Sequence, residues 1–454
     1  MKIGTGSLPE AIGRTSSTPW YAGLTSYQWL VLATASMGWM FDTMAQQLFN
    51  LARRPAIAEL LGPGTASATI SEQAGFSTMI FMIGWALGGL VFGVLGDRIG
   101  RAKTMVMTIL LYSVFTGLSY FSRSVWDFNV YRLLCSLGVG GQFAVGVALV
   151  AEVMPARARP HALGMLQALS TIGNMMAALA GVFLGQLERS GAINDAWRDL
   201  FLVGALPAPL ALLVMAKLRE PEPWVTARAK GANLGSLRHL LSDAHLRRNS
   251  LAGMALAFAG VVGLWGIGFF SFDLFRPILE QTFRAQGVGA AAVNGKVTTW
   301  IGVTSLLQNA GGFFGIYAFT WLTERTNRRK AFAVSFVAAM LLTALTFSRL
   351  ETIGEMFWMI PLMGFAQLAL FGGYAIYLPE LFPTRLRSTG TSFCYNIGRF
   401  AAAIGPLGLG LLTSRVYYGP DAFRYAGVTM SVVFLVGLAA LPFAPETKGK
   451  PLPD

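Results

Sequence analysis

The sequence predicts an all-α membrane protein, twelve transmembrane helices arranged as two pseudo-symmetric six-helix bundles. Three observations predict it. Of the 454 residues, 54% are hydrophobic and only 13% charged, whereas a soluble domain carries about a quarter charged residues; mean hydropathy is +0.54. Apolar stretches at 80–95, 104–121 and 427–443 are too long and too free of charge to be ordinary core helices. The same charged turn also recurs half a chain later. Lipid leaves backbone groups without water to bond, so spanning segments must be helices or a closed barrel, and runs of about 20 apolar residues select helices.

Taken in order, the apolar runs and their Gly, Pro and charge breaks place helices at 28–49, 75–95, 104–121, 127–150, 162–186 and 198–216. A second set follows at 251–275, 298–322, 331–348, 356–378, 389–413 and 424–443. The domain plan is a cytoplasmic tail at 1–27, a first bundle at 28–218, a cytoplasmic linker at 219–249, a second bundle at 250–443 and a short cytoplasmic tail at 444–454. With both termini inside, Lys and Arg favour the inner loops by about two to one, as the positive-inside rule requires, and the reverse orientation would invert that bias. The first 27 residues lack a short apolar stretch with a small-residue cleavage site, so they read as a mobile cytoplasmic tail, not a signal peptide. Two longer outer loops, 50–74 and 276–297, form short lids or simply connect.

The repeat is visible in the inner turns. Glu152-Val-Met-Pro155-Ala-Arg-Ala-Arg159 follows helix 4, and Glu380-Leu-Phe-Pro383-Thr-Arg-Leu-Arg387 follows helix 10. Gly93-Val-Leu-Gly-Asp97-Arg98-Ile-Gly100-Arg101 follows helix 2, with a degraded copy, Glu324-Arg325-Thr-Asn327-Arg328-Arg329, after helix 8. Matching turns imply a duplicated six-helix unit.

Several classes are excluded or disfavoured. Cys135 and Cys394 both sit in apolar runs, which supports neither a disulfide framework nor a metal site. The net charge of +13 is dispersed among loops, not gathered in one stripe, so nucleic acid is not an expected partner. His161, His239 and His245 lack metal spacing, and no Ser or Cys nucleophile has a base partner, so no enzyme, cofactor or metal is expected.

These motifs resemble the major facilitator superfamily, and within it the sugar porters and related metabolite symporters, nearly end to end. Helix 1 has Phe41-Asp42-Thr43 where sugar porters have Tyr-Asp-Thr. Helix 4 has Arg132 followed by Ser136, Gly138 and Gly140, with Ser replacing one Gly. Glu220-Pro-Glu-Pro-Trp224 resembles their P-E-S-P-R-W, and Pro445-Glu-Thr-Lys-Gly449 follows the last helix. Helix 7 lacks the Gln-Leu-Ser element and helix 10 the G-P-x-P-x-x-W element that surround sugar in true sugar porters. Tyr395-Asn396-Ile-Gly398-Arg399 instead looks like the organic-anion and aromatic-acid symporters. The resemblance implies the major facilitator fold and transport by alternating access.

Ionisable residues inside spans cost about 2.5 to 3.5 kcal/mol or more each, so they usually face a cavity or find a partner. Asp42 and Arg132 both lie roughly 8 to 11 Å below the outer surface at 1.5 Å per residue, which makes a pair feasible. Loss of that pair would favour proton uptake by Asp42, and the matching residues of proton-coupled sugar porters play that role. The alternative is a permanent bridge between helices 1 and 4. Arg399 lies near mid-membrane with no acidic residue at that depth in its own half. It is expected to receive a carboxylate, in a pocket shaped by Tyr374, Tyr377, Trp265 and Phe269, with Gln167, Gln308 and Asn309 as hydrogen-bonding candidates; the alternative is snorkelling or capping of carbonyls near Gly405-Pro406.

Asp97, Arg98, Arg101, Glu152 and Arg159, with Glu324, Arg325, Glu380 and Arg387, are expected to bridge helix ends as a cytoplasmic gate. Gly84, Gly88, Gly89, Gly93, Gly138, Gly140 and Gly141 would allow the close helix contacts that rocking needs. The expected function is proton-coupled symport of a small organic anion by a monomer in a bacterial inner membrane. A sugar or polyol porter is the runner-up, and a non-transporting receptor is disfavoured because the chain lacks a soluble effector domain.

Overall fold

Among the described residues the long apolar runs are helices, because inside lipid only the helix satisfies each backbone group within its own segment. The protein is described by a computed structural model over residues 19–267, 271–402, 412–419 and 421–454, and no strand occurs among the described residues. The first half holds α1 (Ser26–Leu61), α2 (Ser67–Arg98), α3 (Arg101–Leu118), α4 (Val125–Val153), α5 (Arg159–Arg189), and α6 (Ala196–Val203) with α7 (Ala208–Lys217) in line. The second half holds α10 (Ala244–Val261), running into a π-helical turn at Val262–Ile267, then α11 (Ser271–Ala285), α12 (Ala290–Arg325), α13 (Arg328–Arg349), α14 (Ile353–Glu380), α15 (Arg387–Ala402), and α16 (Ala422–Met430) followed by α17 (Phe434–Ala440). The far part of the expected helix 11, with Gly405 and Pro406, lies outside the described residues, as do Phe269 and residues 1–18.

Local chemistry sets the boundaries. Thr25 opens α1 with a capping box closed by Gln28, and Thr352 opens α14 with one closed by Glu355. α1 continues to Leu61 and α12 begins at Ala290, so the expected outer loops are largely helix, and α11 stands as a separate helix between them.

The expected linker is also folded: α8 (Glu222–Ala229) and α9 (Leu237–Ser242) lie across the face that carries Pro19 and residues 444–454. Ser236 and Asp243 cap α9 and α10, and the Trp224 indole donates to the Asp97 carbonyl at 2.6 Å. The described end of the N-terminal tail is docked rather than loose. Arg157 donates to the carbonyls of Pro19 and Ala22 at 3.0 Å each, and Trp20 stacks on His161.

Small residues bring helices close where lipid supplies no hydrophobic drive between them. Gly84 and Gly88 receive α4. Gly89, Gly93 and Gly96 receive Asn396, Ser392 and Ser388 of α15 instead, so one helix seats two neighbours from different halves. Across the opposite side of the assembly α5 packs on α12, where Asn174 donates to Asn309 at 2.9 Å. These two seams join the halves.

Gly140 has no room for a side chain: a Cβ there would meet the Trp85 carbonyl at 2.0 Å, whereas one at Gly146 would meet nothing within 4 Å. Gly140→Ala should therefore lower the melting temperature in detergent by several degrees, at a cost of about 1–3 kcal/mol, while Gly146→Ala leaves it unchanged. Equal melting temperatures for the two variants would show that α2 and α4 do not pack this tightly.

Candidate functional site

Glu152 sits at the end of α4 with its side chain fully enclosed, on the face that carries α8 and α9. A carboxylate there needs replacement for lost water. Arg101 provides it bidentately, with Nε to Oε2 at 3.2 Å and Nη2 to Oε1 at 2.9 Å. Arg387, from the other half, adds Nη1 to Oε1 at 2.8 Å. Arg101 also pairs with Asp97 at 3.0 Å and donates to the Thr384 carbonyl at 2.6 Å. Asp97 in turn accepts from the Ser388 and Thr389 amides at 3.2 and 2.8 Å and from the Thr389 hydroxyl at 2.5 Å, at the start of α15. Asp97, Arg101, Glu152 and Arg387 thus form a buried latch between the halves.

The second half repeats the pattern with one change of residue. Arg328, not Arg325, grips Glu380 bidentately at 3.1 and 2.8 Å and Glu324 at 3.1 Å. The repeat contains the signal for this: Arg328 occupies the position in the degraded turn that Arg101 occupies in the intact one, and Arg325 matches Arg98. Both of those outer arginines are exposed, and Arg325 lies over the Trp321 ring at 4.5 Å. They stand one position past the helix face that meets the latch. Arg159 is likewise outside the ion-pair network, because it caps α4 by donating to the carbonyls of Ala151 and Met154. The latch therefore has one ion-pair arm across the halves, from Arg387 to Glu152, without the mirror arm from Arg159 to Glu380.

The two family motifs quoted from the sequence acquire matching tasks. Glu220 accepts from the backbone amides of Arg101, Ala102 and Lys103, and Glu446 from those of Arg328 and Arg329, so each carboxylate sits on a helix N-terminus where the helix dipole favours it. Burial opposes ionisation of Glu446, but amide donors from Lys448, Arg329 and Arg328 and the Arg328 charge outweigh it and hold the carboxyl below its ordinary value. Gly100, at φ +119°, lets Glu220 approach within 2.3 Å of where its Cβ would stand. After Glu446 the chain folds back beneath the latch. Thr447 donates to Glu380 at 2.5 Å and Arg387 donates to the Pro453 carbonyl at 2.7 Å.

On the opposite side the halves separate around a cavity of about 530 Å³. Its mouth carries Arg53, Glu188 and Arg276, and its deep wall carries Gln46, Trp85, Trp265 and Ser305. Arg399, 2% exposed, lies behind the tryptophans. Its guanidinium is 3.4 Å from the Trp85 ring centroid, 4.6 Å from Tyr395 and 6.0 Å from Trp265. Its Nε and Nη1 meet no acceptor among the described residues. Asp42 is fully buried, and neither of its oxygens meets a donor there.

The expected contact between Asp42 and Arg132 is not made in this conformation. Arg132 donates to the Phe115 carbonyl and the Ser119 hydroxyl at 2.9 and 2.6 Å and lies over Phe201 at 4.6 Å, so it is held by α3 and α6. Asp42 therefore stands in this conformation without an ion pair to Arg132.

Of the described residues expected around Arg399, only Trp265 is beside it. The Tyr374 hydroxyl donates to the Leu256 carbonyl, and the Tyr377 hydroxyl to the Pro445 carbonyl, both at 2.7 Å, which places Tyr377 at the latch. Gln167 accepts from the Trp39 indole, and Gln308 lies 3.5 Å from Gln367. None of these, nor Asn309, lies on the cavity wall. Trp85 and Tyr395 were not among the expected site residues. Tyr395 stands one helical turn before Arg399 and could have been read from that spacing. Nothing in the sequence marks Trp85.

Two related halves, a latch on one face, a cavity on the other and buried charges between them define a multi-pass membrane transporter of small molecules, not an enzyme. Residues 29–307 match the Major Facilitator Superfamily, and the chain belongs to that family. It is 27% identical to a "Probable 4-methylmuconolactone transporter" of Cupriavidus pinatubonensis, covering 95% of this chain and 93% of that protein. It is 24% identical to "Niacin transporter NiaP" of Acinetobacter baylyi, covering 98% and 99%. Among solved structures it shares the fold of the proton:xylose symporter XylE bound to 6-bromo-6-deoxy-D-glucose, with a TM-score of 0.69, 17% identity, and coverage of 94% and 98%.

Asp97 holds the first amides of α15 directly. Asp97→Asn should accelerate hydrogen exchange at Ser388 and Thr389 by about tenfold or more, since hydrogen bonds to a charged acceptor are worth about 1.5–3 kcal/mol. Unchanged exchange at those two amides would remove Asp97 from the latch.

Proposed function

We infer that the protein is a proton-coupled symporter of small organic anions, in which Arg399 receives the substrate carboxylate and Asp42 carries the proton. One observation carries the reading: a fully buried guanidinium that leaves two nitrogens without acceptors among the described residues and is walled by aromatic rings. A carboxylate supplies both charge and acceptors. The names of the two relatives support it, since niacin and 4-methylmuconolactone both bear a carboxyl group. Asp42 is fully buried on α1, and a carboxylate enclosed without donors among the described residues is suited to exchange a proton.

The face that bears the latch is assigned to the cytoplasm, in keeping with the bias of Lys and Arg, and the cavity to the outside. On that assignment the structure is outward-facing, and transport requires the Arg387 arm to leave Glu152 as the cavity closes. The two six-helix bundles rock about the seams between α2 and α15 and between α5 and α12, in a monomer in the bacterial inner membrane.

Purified protein in liposomes should accumulate a labelled monocarboxylate or aromatic carboxylate when the outside is acidified, and should ignore xylose and glucose. Arg399→Gln should weaken carboxylate uptake by about 100-fold, the loss expected for a buried charged hydrogen bond of about 3 kcal/mol. Carboxylate uptake that survives this change, or sugar uptake in the wild type, would replace this reading with that of a sugar or polyol porter. Asp42→Asn should abolish pH-driven accumulation while leaving downhill exchange, measured by counterflow.

A further inference from the structure

The way from the cavity to Arg399 is walled by two indoles set at right angles. Trp85 and Trp265 both line the deep wall of the cavity, and Arg399 lies behind them. The guanidinium carbon stands 3.4 Å from the Trp85 ring centroid. An approach that close requires stacked planes, because a tilted guanidinium would drive one of its nitrogens into the ring. Trp265 meets Trp85 edge to face, with centroids 5.1 Å apart and planes at 87°. One indole is therefore parallel to the guanidinium and the other perpendicular to it.

Both indoles are set by their surroundings. The Trp85 backbone is clamped by α4, since a Cβ on Gly140 would stand 2.0 Å from its carbonyl oxygen. Phe81, itself stacked on Phe49, packs edge-on against the Trp85 ring at 5.9 Å. Trp265 is carried by the π-helical turn at Val262–Ile267, whose wider winding re-aims a side chain relative to the α-helix before it. A carboxylate that pairs bidentately with a guanidinium lies in the guanidinium plane, so the carbon that bears it leaves in that plane. Here the plane runs along the face of Trp85. A flat substituent continues in it, whereas a puckered ring pushes hydrogens against the indole.

We propose that Trp85 and Trp265 form a slot that selects carboxylates borne on a flat, conjugated ring over saturated acids of the same size and charge. This inference rests on the reading of Arg399 as the carboxylate receiver, and it adds the two residues that decide between acids. The substrate ring lies against the Trp85 face and turns its edge to Trp265, the offset-stacked and edge-to-face arrangements that aromatic pairs prefer. Apolar burial alone works the other way, because a cyclohexane ring carries more apolar surface than a benzene ring. A preference for the flat acid therefore reports the slot and not burial.

The test is equilibrium binding of benzoate and of cyclohexanecarboxylate to the full-length protein in detergent at about pH 7, where both acids are ionised. In the wild type benzoate should bind about two- to tenfold tighter, the range that an aromatic contact gives. Trp85→Leu and Trp265→Leu should each reduce or reverse that ratio, while Trp265→Phe should keep it, with melting temperatures checking the fold. The readout is a ratio of two anions on one variant, so a general loosening of the structure moves both and leaves the ratio unchanged. Equal affinities in the wild type, tighter binding of the saturated acid, or a ratio unchanged in both Leu variants overturns the slot while leaving carboxylate binding intact. Failure of the wild type to bind either anion overturns the carboxylate reading itself, and this inference with it.

Discussion

A charge removed from water inside a bilayer costs several kcal/mol unless protein groups replace the solvent, and Glu152 meets that cost with guanidinium groups from both halves. Arg101 belongs to its own half and Arg387 to the other. The single carboxylate is thus a structural joint. With it made, Arg101 reaches the Thr384 carbonyl, Asp97 reaches the head of α15, and the serines of α15 settle into the glycine face of α2. Closing one end of two rigid bundles spreads the other end, which is where the cavity lies. The position of the latch and that of the cavity are one fact seen from two sides.

The two halves have kept the same scaffold and divided its uses. Each has an arginine at the head of its third helix, a glutamate at the end of its fourth, and a second glutamate on the helix N-terminus, supplied by Glu220 in one half and Glu446 in the other. They differ in what the arginine after the fourth helix does. Arg387 crosses to Glu152, while Arg159 turns back to cap α4. Glu380 is already occupied by Arg328 and Thr447. One ion pair thus crosses between the halves, and opening must also release Arg101 from the Thr384 carbonyl and Asp97 from the head of α15.

Much of this was legible in the sequence for physical reasons. Apolar run length sets helices because lipid tolerates little else, and charged turns repeated at fixed spacing place Asp97, Arg101, Glu152, Glu380 and Arg387 where the helices end. Reading stopped where helix faces and partner choice mattered. Arg325 and Arg328 differ by three residues, nearly a full turn, and only alignment of the degraded turn on the intact one, Arg328 on Arg101, separates the one that meets Glu380. Asp42 and Arg132 share a depth, yet Arg132 faces α3 and α6, so depth alone misassigned its partner. Tyr374 and Tyr377 are polar aromatics on a buried helix, but their hydroxyls found backbone carbonyls in Leu256 and Pro445. Trp85 was invisible, because an indole in an apolar run reads as packing until a guanidinium from another helix is laid on it.

The docking of residues 445–453 beneath the latch has a practical side. Lys448 is tied to the carbonyls of Glu324 and Thr326, and the Pro453 carbonyl is bonded by the same arginine that locks the halves together. An affinity tag or fluorescent protein joined directly after Asp454 would therefore hang from the part of the molecule that must let go during each cycle. A spacer of flexible residues would separate handle from mechanism, and binders selected against the closed face would act as brakes, favouring the latched form for imaging.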